Sequence, residues 1–324
     1  MSGSWPRIVV LCLLTLPAMS LAYAQAGPYP DKPVTIISDA GAGSSVDVAT
    51  RVIADGLAKI WGQKAAVVNR PGANGSIAAH AASEAAGDGY TLYTPATSTF
   101  LAPPTVAPNL PVKLPRDFLA VGFLADQPLF LAVDPHSGLT TVQQLIDRAK
   151  KAPGTLSIAV SGVGRLTYLT SLLIQQKAGI KLISVPYTDG PSAALADVAG
   201  GRVTMIIEGY TGIVGAVNAG QVKLIATSAA KRLPEFADLP TVAETIPGLA
   251  PMGLVMMAAP LGTPAPIIAK DSADLTKVVN DPDVKKRLTA IGSYTRAMTP
   301  DETLAFIAKL QETWLPVVQS ISTK

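Results

Sequence analysis

Short runs rich in valine and isoleucine alternate with amphipathic helical patterns from Val34 onward, and this alternation restricts the fold more than any other feature of the 324-residue chain. The expected strands are Val34–Ser38, Ala65–Asn69, Thr91–Thr94, Leu129–Val133, Leu156–Val160, Leu182–Val185, Val203–Ile207, Leu224–Thr227 and Leu254–Ala258. Apolar strands separated by helices imply repeated strand–helix units with parallel sheets, an α/β fold. Helix punctuation agrees. A helix over Thr140–Lys151 opens with Thr140 and Gln143 at capping-box spacing, turns Val142, Leu145, Ile146 and Ala149 to one face, and stops at Pro153-Gly154. The last helix opens at Thr299-Pro300-Asp301-Glu302 and aims Leu304, Ile307, Leu310 and Trp314 at the core.

Two of these units carry a glycine- and serine-rich turn between strand and helix. The first runs through Asp39, Ala40, Gly41, Ala42, Gly43, Ser44, Ser45, Val46 and Asp47 into a helix ending near Trp61. The second lies between Ser157 and Gln176, with Ser161-Gly162-Val163-Gly164-Arg165-Leu166-Thr167-Tyr168 as its turn. The first four N–H groups of a helix lack internal acceptors and sit at its positive end, so such a turn welcomes a carboxylate or phosphate. Two of them predict two lobes gripping one small anion. Asp47, three residues after Ser44, either completes a capping box or holds waters that bridge to a ligand, and both roles are compatible. Arg165 either forks onto a carboxylate or ends in solvent. Other strand ends offer Thr97, Ser98 and Thr99, then Tyr187, Asp189 and Gly190, and finally Glu208, each of which is a crevice candidate or a plain solvated loop residue.

Met1–Ala24 bears a single charge at Arg7, an apolar run from Ile8 to Met19, and the small-x-small triplet Ala22-Tyr23-Ala24. That is the layout of an export signal cleaved near Ala24, and the run is short of the ~20 apolar residues that cross a bilayer. The mature chain is thus expected to be soluble and exported. Cys12, the sole cysteine, lies inside this segment, leaving the mature chain without a thiol, disulfide or thiolate metal site. The remaining 300 residues exceed one comfortable core. The proline-rich stretch Leu101–Pro115 reads as a surface loop leading to a lobe boundary. A crossing near Ala125 and a return near Gly248 give one lobe from 25–125 plus 249–324 and another from 126–248. The crevice between lobes is where α/β sheets present their strand ends to ligands.

Composition removes several function classes. Loss of Arg7 lowers the formal net charge from +3 to +2, and aromatic residues make up 5% of the chain, which argues against nucleic-acid binding. A hydrolase needs nucleophile, base and orienter, yet only His80 and His136 are present and no G-x-S-x-G elbow occurs. No metal centre, P-loop or dinucleotide fingerprint is present either, so neither catalysis nor a cofactor is expected.

Several blocks together resemble the Bug-type (TctC-like) periplasmic solute receptors of tripartite tricarboxylate transporters. They are Tyr29-Pro30-Asp31-Lys32-Pro33-Val34, Asp47-Val48-Ala49-Thr50-Arg51, Asn69-Arg70-Pro71-Gly72-Ala73-Asn74-Gly75, Asp88-Gly89-Tyr90-Thr91-Leu92, Val185-Pro186-Tyr187 and Leu239-Pro240-Thr241-Val242-Ala243-Glu244. The resemblance covers essentially the whole mature chain. It implies a monomeric two-lobe Venus flytrap of the type II-like class that closes on a small organic carboxylate and hands it to membrane permease subunits. In that family the loops matching Asp39–Asp47 and Ser161–Tyr168 pinch one carboxylate through backbone N–H groups and ordered waters, with the position of Asp47 part of the arrangement. Tyr187 to Gly190 and Glu208 are then expected to face the variable part of the ligand.

The chain departs from the family pattern in both loops. The first is usually Pro-aromatic-x-Pro-Gly-Gly, whereas Asp39-Ala40-Gly41-Ala42-Gly43-Ser44 stands here, so Ala40 should widen the pocket and Asp39 should add negative charge. The second is usually Ser-Gly-x-Gly-Ser/Thr with a histidine soon after, where Arg165 and Tyr168 stand. Arg165 is expected to bind a second carboxylate or another polar group. A receptor that feeds a membrane sensor kinase would close on ligand identically, and the acid's identity lies beyond sequence.

Overall fold

The computed structural model describes residues 29–101, 116–188 and 190–322, leaving aside the side chains of Phe100, Thr313 and 318–322. The expected leader, most of the Leu101–Pro115 loop and Asp189 lie outside the described residues. Two sheets share one long strand. In the first, β1 (Val34–Ser38) lies between parallel β2 (Ala65–Asn69) and β3 (Thr91–Thr94). Antiparallel β9 (Met252–Pro260) joins β3 to β4 (Phe118–Val133), which also pairs with β10 (Tyr294–Met298). In the second sheet the tail of β4 lies between antiparallel β7 (Met205–Gly209) and β8 (Lys223–Thr227), and β7 continues through parallel β5 (Ser157–Val160) to β6 (Ile183–Pro186).

The sheets change hands at Pro128 and Leu129. Up to Pro128, β4 pairs with β9; from Leu129 its partners are β7 and β8. The Leu129 N–H donates to Ser228 Oγ at 2.8 Å, and its carbonyl accepts the Ser228 N–H at 2.8 Å and the Thr227 hydroxyl at 3.2 Å. Buried polar groups are thereby satisfied where the chain passes between lobes.

Helices cover the first sheet as α1 (Ser45–Trp61), α2 (Ser76–Ser83), α3 (Thr97–Leu101), α9 (Ala265–Asn280) and α10 (Pro282–Thr289). The second carries α4 (Val142–Lys151), α5 (Leu166–Ala178), α6 (Pro191–Ala199), α7 (Tyr210–Asn218) and α8 (Val242–Thr245). Period-two alternation along β4 sends Leu129, Leu131 and Val133 into one core with Leu145, Leu169 and Ile207, and Phe130 and Ala132 into another with Ile206 and Ile213. The first lobe has its own core around Ile36, Ile53, Leu92, Phe118 and Met256. Helix α11 (Pro300–Ser322) touches both lobes, with Ile307 in the first core and Trp314 and Val317 in the second.

All nine expected strands are present, several with shifted ends. Leu129–Val133 proves to be the tail of a 16-residue strand, and β10 was not expected. The cap of α4 is Thr141, which accepts the Gln144 N–H at 3.2 Å, rather than Thr140 with Gln143. Gln144 instead reaches back to the Thr140 N–H at 2.8 Å. The capping box at Thr299 and Glu302 forms as expected, with bonds of 2.9 and 3.2 Å.

Candidate functional site

The first junction is held by side chains so that its backbone stays bare. Gly43 turns at φ 77°, in the left-handed region, and Ser44 caps α1 by accepting the Asp47 N–H at 3.4 Å. The reciprocal bond is displaced by one residue: Asp47 Oδ2 accepts the Gly43 N–H at 2.8 Å, while the Ser44 N–H goes to the Gly41 carbonyl at 3.2 Å. Asp47 also receives Arg51 Nε at 3.1 Å and Asn69 Nδ2 at 2.8 Å. Burial opposes ionisation of Asp47, yet Arg51, the Gly43 N–H and Asn69 together hold it below the usual carboxylate range. Ser45 and Val46, at the start of α1, have N–H groups with no acceptor among the described residues.

The second junction is built differently. Gly164 turns at φ 82°, and Arg165 occupies the cap position of α5 without a side-chain bond to the helix. Thr167 Oγ1 accepts the Ser161 N–H at 2.8 Å and contacts Ser161 Oγ at 2.7 Å, closing the loop upon itself. Ser161 Oγ in turn donates to Glu208 Oε2 at 3.2 Å, and Glu208 Oε1 accepts the Gly209 N–H at 2.9 Å. The N–H groups of Leu166, Thr167 and Tyr168 have no acceptor among the described residues.

Both helix starts meet at the strands that link the lobes. Gln127 of β4 donates to the Ser45 carbonyl at 2.9 Å and to Ser293 Oγ at 3.0 Å. A Cβ at Gly253, on the paired strand β9, would lie 2.9 Å from the Gln127 carbonyl and 3.2 Å from Leu166 Cδ2. A Cβ at Gly209 would lie 2.4 Å from Ser45 Oγ, a clash that only glycine avoids. Ser45 Oγ is itself buried and has no hydrogen-bond partner among the described residues. The two anion-receptive turns therefore lie beside the same pair of strands.

Arg165 is half-buried and its side chain makes no hydrogen bond or ion pair with the described residues, yet its charge acts on Asp39, Tyr93 and Glu208. Asp39 departs from expectation: it does not line the cleft as free negative charge. It is 1% exposed and takes the Ala96 N–H at 2.7 Å together with the hydroxyls of Thr99 and Tyr93. Burial raises its pKa against the pull of Arg165 and these donors, and burial likewise raises that of Glu208. Ala40 is 2% exposed, with its carbonyl accepting Asn69 Nδ2 at 3.0 Å.

Other candidates are occupied within their own lobe. Thr97 bridges to β9, accepting the Leu254 N–H at 2.7 Å and donating to its carbonyl at 3.2 Å, with Ser98 buried beside it. The Tyr187 hydroxyl donates to Asp197 of α6, and Tyr168 lies half-buried against the second lobe's core. Gly190 is exposed at the start of α6. Sequence reasoning passed over Gln127 and Ser293 and left Asn69 and Arg51 without roles; the polar break Asp126-Gln127-Pro128 in an apolar run was the available signal. Among the described residues no group of three or more His, Cys, Asp and Glu is placed to hold a metal ion.

Residues 49–323 match the tripartite tricarboxylate transporter family receptor. The chain belongs to this receptor family. It is 33% identical over 307 residues to a UPF0065 protein of Bordetella bronchiseptica, covering 95% of this chain and 91% of that one. It is 30% identical over 319 residues to BugT of Bordetella pertussis, covering 98% of each. Among solved structures, an R. palustris protein with adipate matches with a TM-score of 0.82 at 27% identity, covering 90% of this chain and 97% of that one. MatC from Rhodopseudomonas palustris with bound malate matches at 0.79 and 28%, covering 90% and 100%. The receptor has the two-lobe periplasmic-binding-protein fold, and no helix among the described residues is long and apolar enough to cross a membrane.

Proposed function

We propose that this receptor captures a small organic carboxylate between its lobes, leaves it chemically unchanged, and delivers it to the permease subunits of a tripartite transporter. The observation that carries this reading is the convergence on Gln127 and Gly253 of two helix starts whose first N–H groups have no acceptor among the described residues, with the Arg165 side chain, which has no hydrogen-bond or ion-pair partner among them, at the second. In this reading the N–H groups of Ser45, Val46, Leu166 and Thr167 hold the ligand carboxylate, and Arg165 adds a bidentate, charge-assisted contact. Asp47, Ser44, Ser161 and Thr167 shape the two turns through their side chains. The relatives solved with adipate and malate support a carboxylate as cargo. The Met1–Ala24 segment supports export to the periplasm.

A thermal-shift screen against a carboxylate library tests the reading. A cognate acid at ~100 times its dissociation constant adds about 2.7 kcal/mol of stability and raises the melting temperature. The reading fails if no acid shifts the transition or if a binding acid is turned over.

A further inference from the structure

We propose that Glu208 makes this receptor select acids that carry an ammonium group close to their carboxylate. The inference rests on the carboxylate-capture reading above and specifies the chemistry of the rest of the ligand.

Two acidic groups feel the charge of Arg165, and they are not equivalent. Asp39 is sealed at 1% exposure with three donors of its own, so it belongs to the scaffold. Glu208 is only half-buried, and each of its oxygens accepts a single bond, one from the Gly209 N–H and one from Ser161. A carboxylate offers about four acceptor sites, so these two bonds leave Glu208 with acceptor capacity unused. Its neighbours lie on both sides: Ser161 belongs to the second anion-receptive turn, while Ser45 Oγ, buried and unpartnered, lies against Gly209 from the first.

Proton counting makes Glu208 an acceptor. Thr167 Oγ1 already accepts the Ser161 N–H, and the two hydroxyls lie 2.7 Å apart. With Glu208 ionised, Thr167 donates to Ser161 and Ser161 donates to Glu208, so every hydroxyl proton has an acceptor. A neutral Glu208 that donated its proton to Ser161 would run the chain backward and leave the Thr167 proton without an acceptor among the described residues. Burial raises the pKa of Glu208, while the Gly209 N–H, Ser161 and the nearby Arg165 charge all favour its ionised form. When the lobes close on a ligand, an ionised Glu208 facing an apolar or anionic tail is left desolvated and unpaired, which is costly. An ammonium meets that charge, while the helix starts and Arg165 take the carboxylate.

Calorimetric titration of the protein exported from its full-length chain decides the matter with three matched sets: alanine, lactate and propionate; aspartate, malate and succinate; glutamate, 2-hydroxyglutarate and glutarate. Within each set only the group on one carbon changes. We expect the amino acid to bind at least tenfold tighter than its deaminated partner in at least one set. Glu208→Gln, nearly isosteric, then weakens the amino acid at least tenfold and leaves the deaminated acid within about threefold. A parent protein that prefers succinate or malate to aspartate, with the same ordering in the other sets, overturns the inference while leaving carboxylate capture intact; so does a Glu208→Gln protein with unchanged ranking. Binding of none of the nine acids, together with a silent carboxylate library, overturns both. The ranking in the parent decides even if the variant folds poorly.

Discussion

Asp47 shows how one carboxylate can serve a site by holding its loop. It joins the Gly43 N–H, Arg51 and Asn69, residues from the turn, the helix and the next strand. Asp47→Ala leaves the Gly43 amide without its partner and takes one bond each from Asn69 and Arg51, and we expect a loss of about 2–3 kcal/mol in denaturant unfolding with weaker ligand binding. Arg165 has the opposite character, its side chain having no hydrogen-bond or ion-pair partner among the described residues. Arg165→Ala should weaken carboxylate binding about 10- to 100-fold, the size of a lost charged hydrogen-bonding group, with a smaller effect on stability than Asp47→Ala. Titration against mono- and dicarboxylates checks this, and unchanged affinities for all of them reject the role.

Asp271 of α9 gives a pH-dependent prediction. It is 1% exposed, its Oδ1 is unpartnered, and Oδ2 lies 3.0 Å from the Tyr29 hydroxyl, which also lies 2.7 Å from the Gly89 carbonyl. Burial pushes its pKa up to about 7 despite Tyr29 and Lys270, with Asp274 adding to the rise. The folded value therefore exceeds the unfolded one of about 3.9. The native state holds the proton more tightly, so this contribution is fully present below about pH 4 and is lost as pH rises through about 7. Asp271→Asn should raise the melting temperature at pH 8, by an amount equivalent to a few kcal/mol, and change it little at pH 4. Equal shifts at both pH values would contradict the assignment.

Among the elements, those with strong local signals were legible in the chain. β1, β2 and β3 occupy the bounds that their apolar runs predict. β10 was not legible because Tyr294-Thr295-Arg296-Ala297-Met298 lacks apolar alternation and owes its state to pairing with β4. The first part of β4 was hidden because Asp126-Gln127-Pro128 breaks its run where the sheets change partners. The cap of α4 was ambiguous because Thr140 and Thr141 are adjacent candidates and only the fold chooses between them. The site divides in the same way. Glycine and serine announced the two turns, but Asp39 and Thr97 have partners far along the chain, 57 and 157 residues away, which no local pattern reveals. The N-terminus of α7 supplies a further test. Gly209→Ala would drive a methyl into the Ser45 side chain of the other lobe, so it should hold the lobes apart and weaken ligand binding about tenfold or more while leaving secondary structure unchanged by circular dichroism.

At the scale of the whole molecule, β4 joins the two sheets and α11 packs on both lobes. A ligand that contacts both helix starts binds the closed form better and shifts the population toward it. The most direct measurement is a crystal structure of the protein with a carboxylate identified by thermal shift. The account predicts a carboxylate group within hydrogen-bond distance of the α1 and α5 N-terminal amides, with the Arg165 guanidinium on the same ligand. An acid bound outside the cleft, or held by side chains of one lobe with the amides of Ser45, Val46, Leu166 and Thr167 left free, would contradict it.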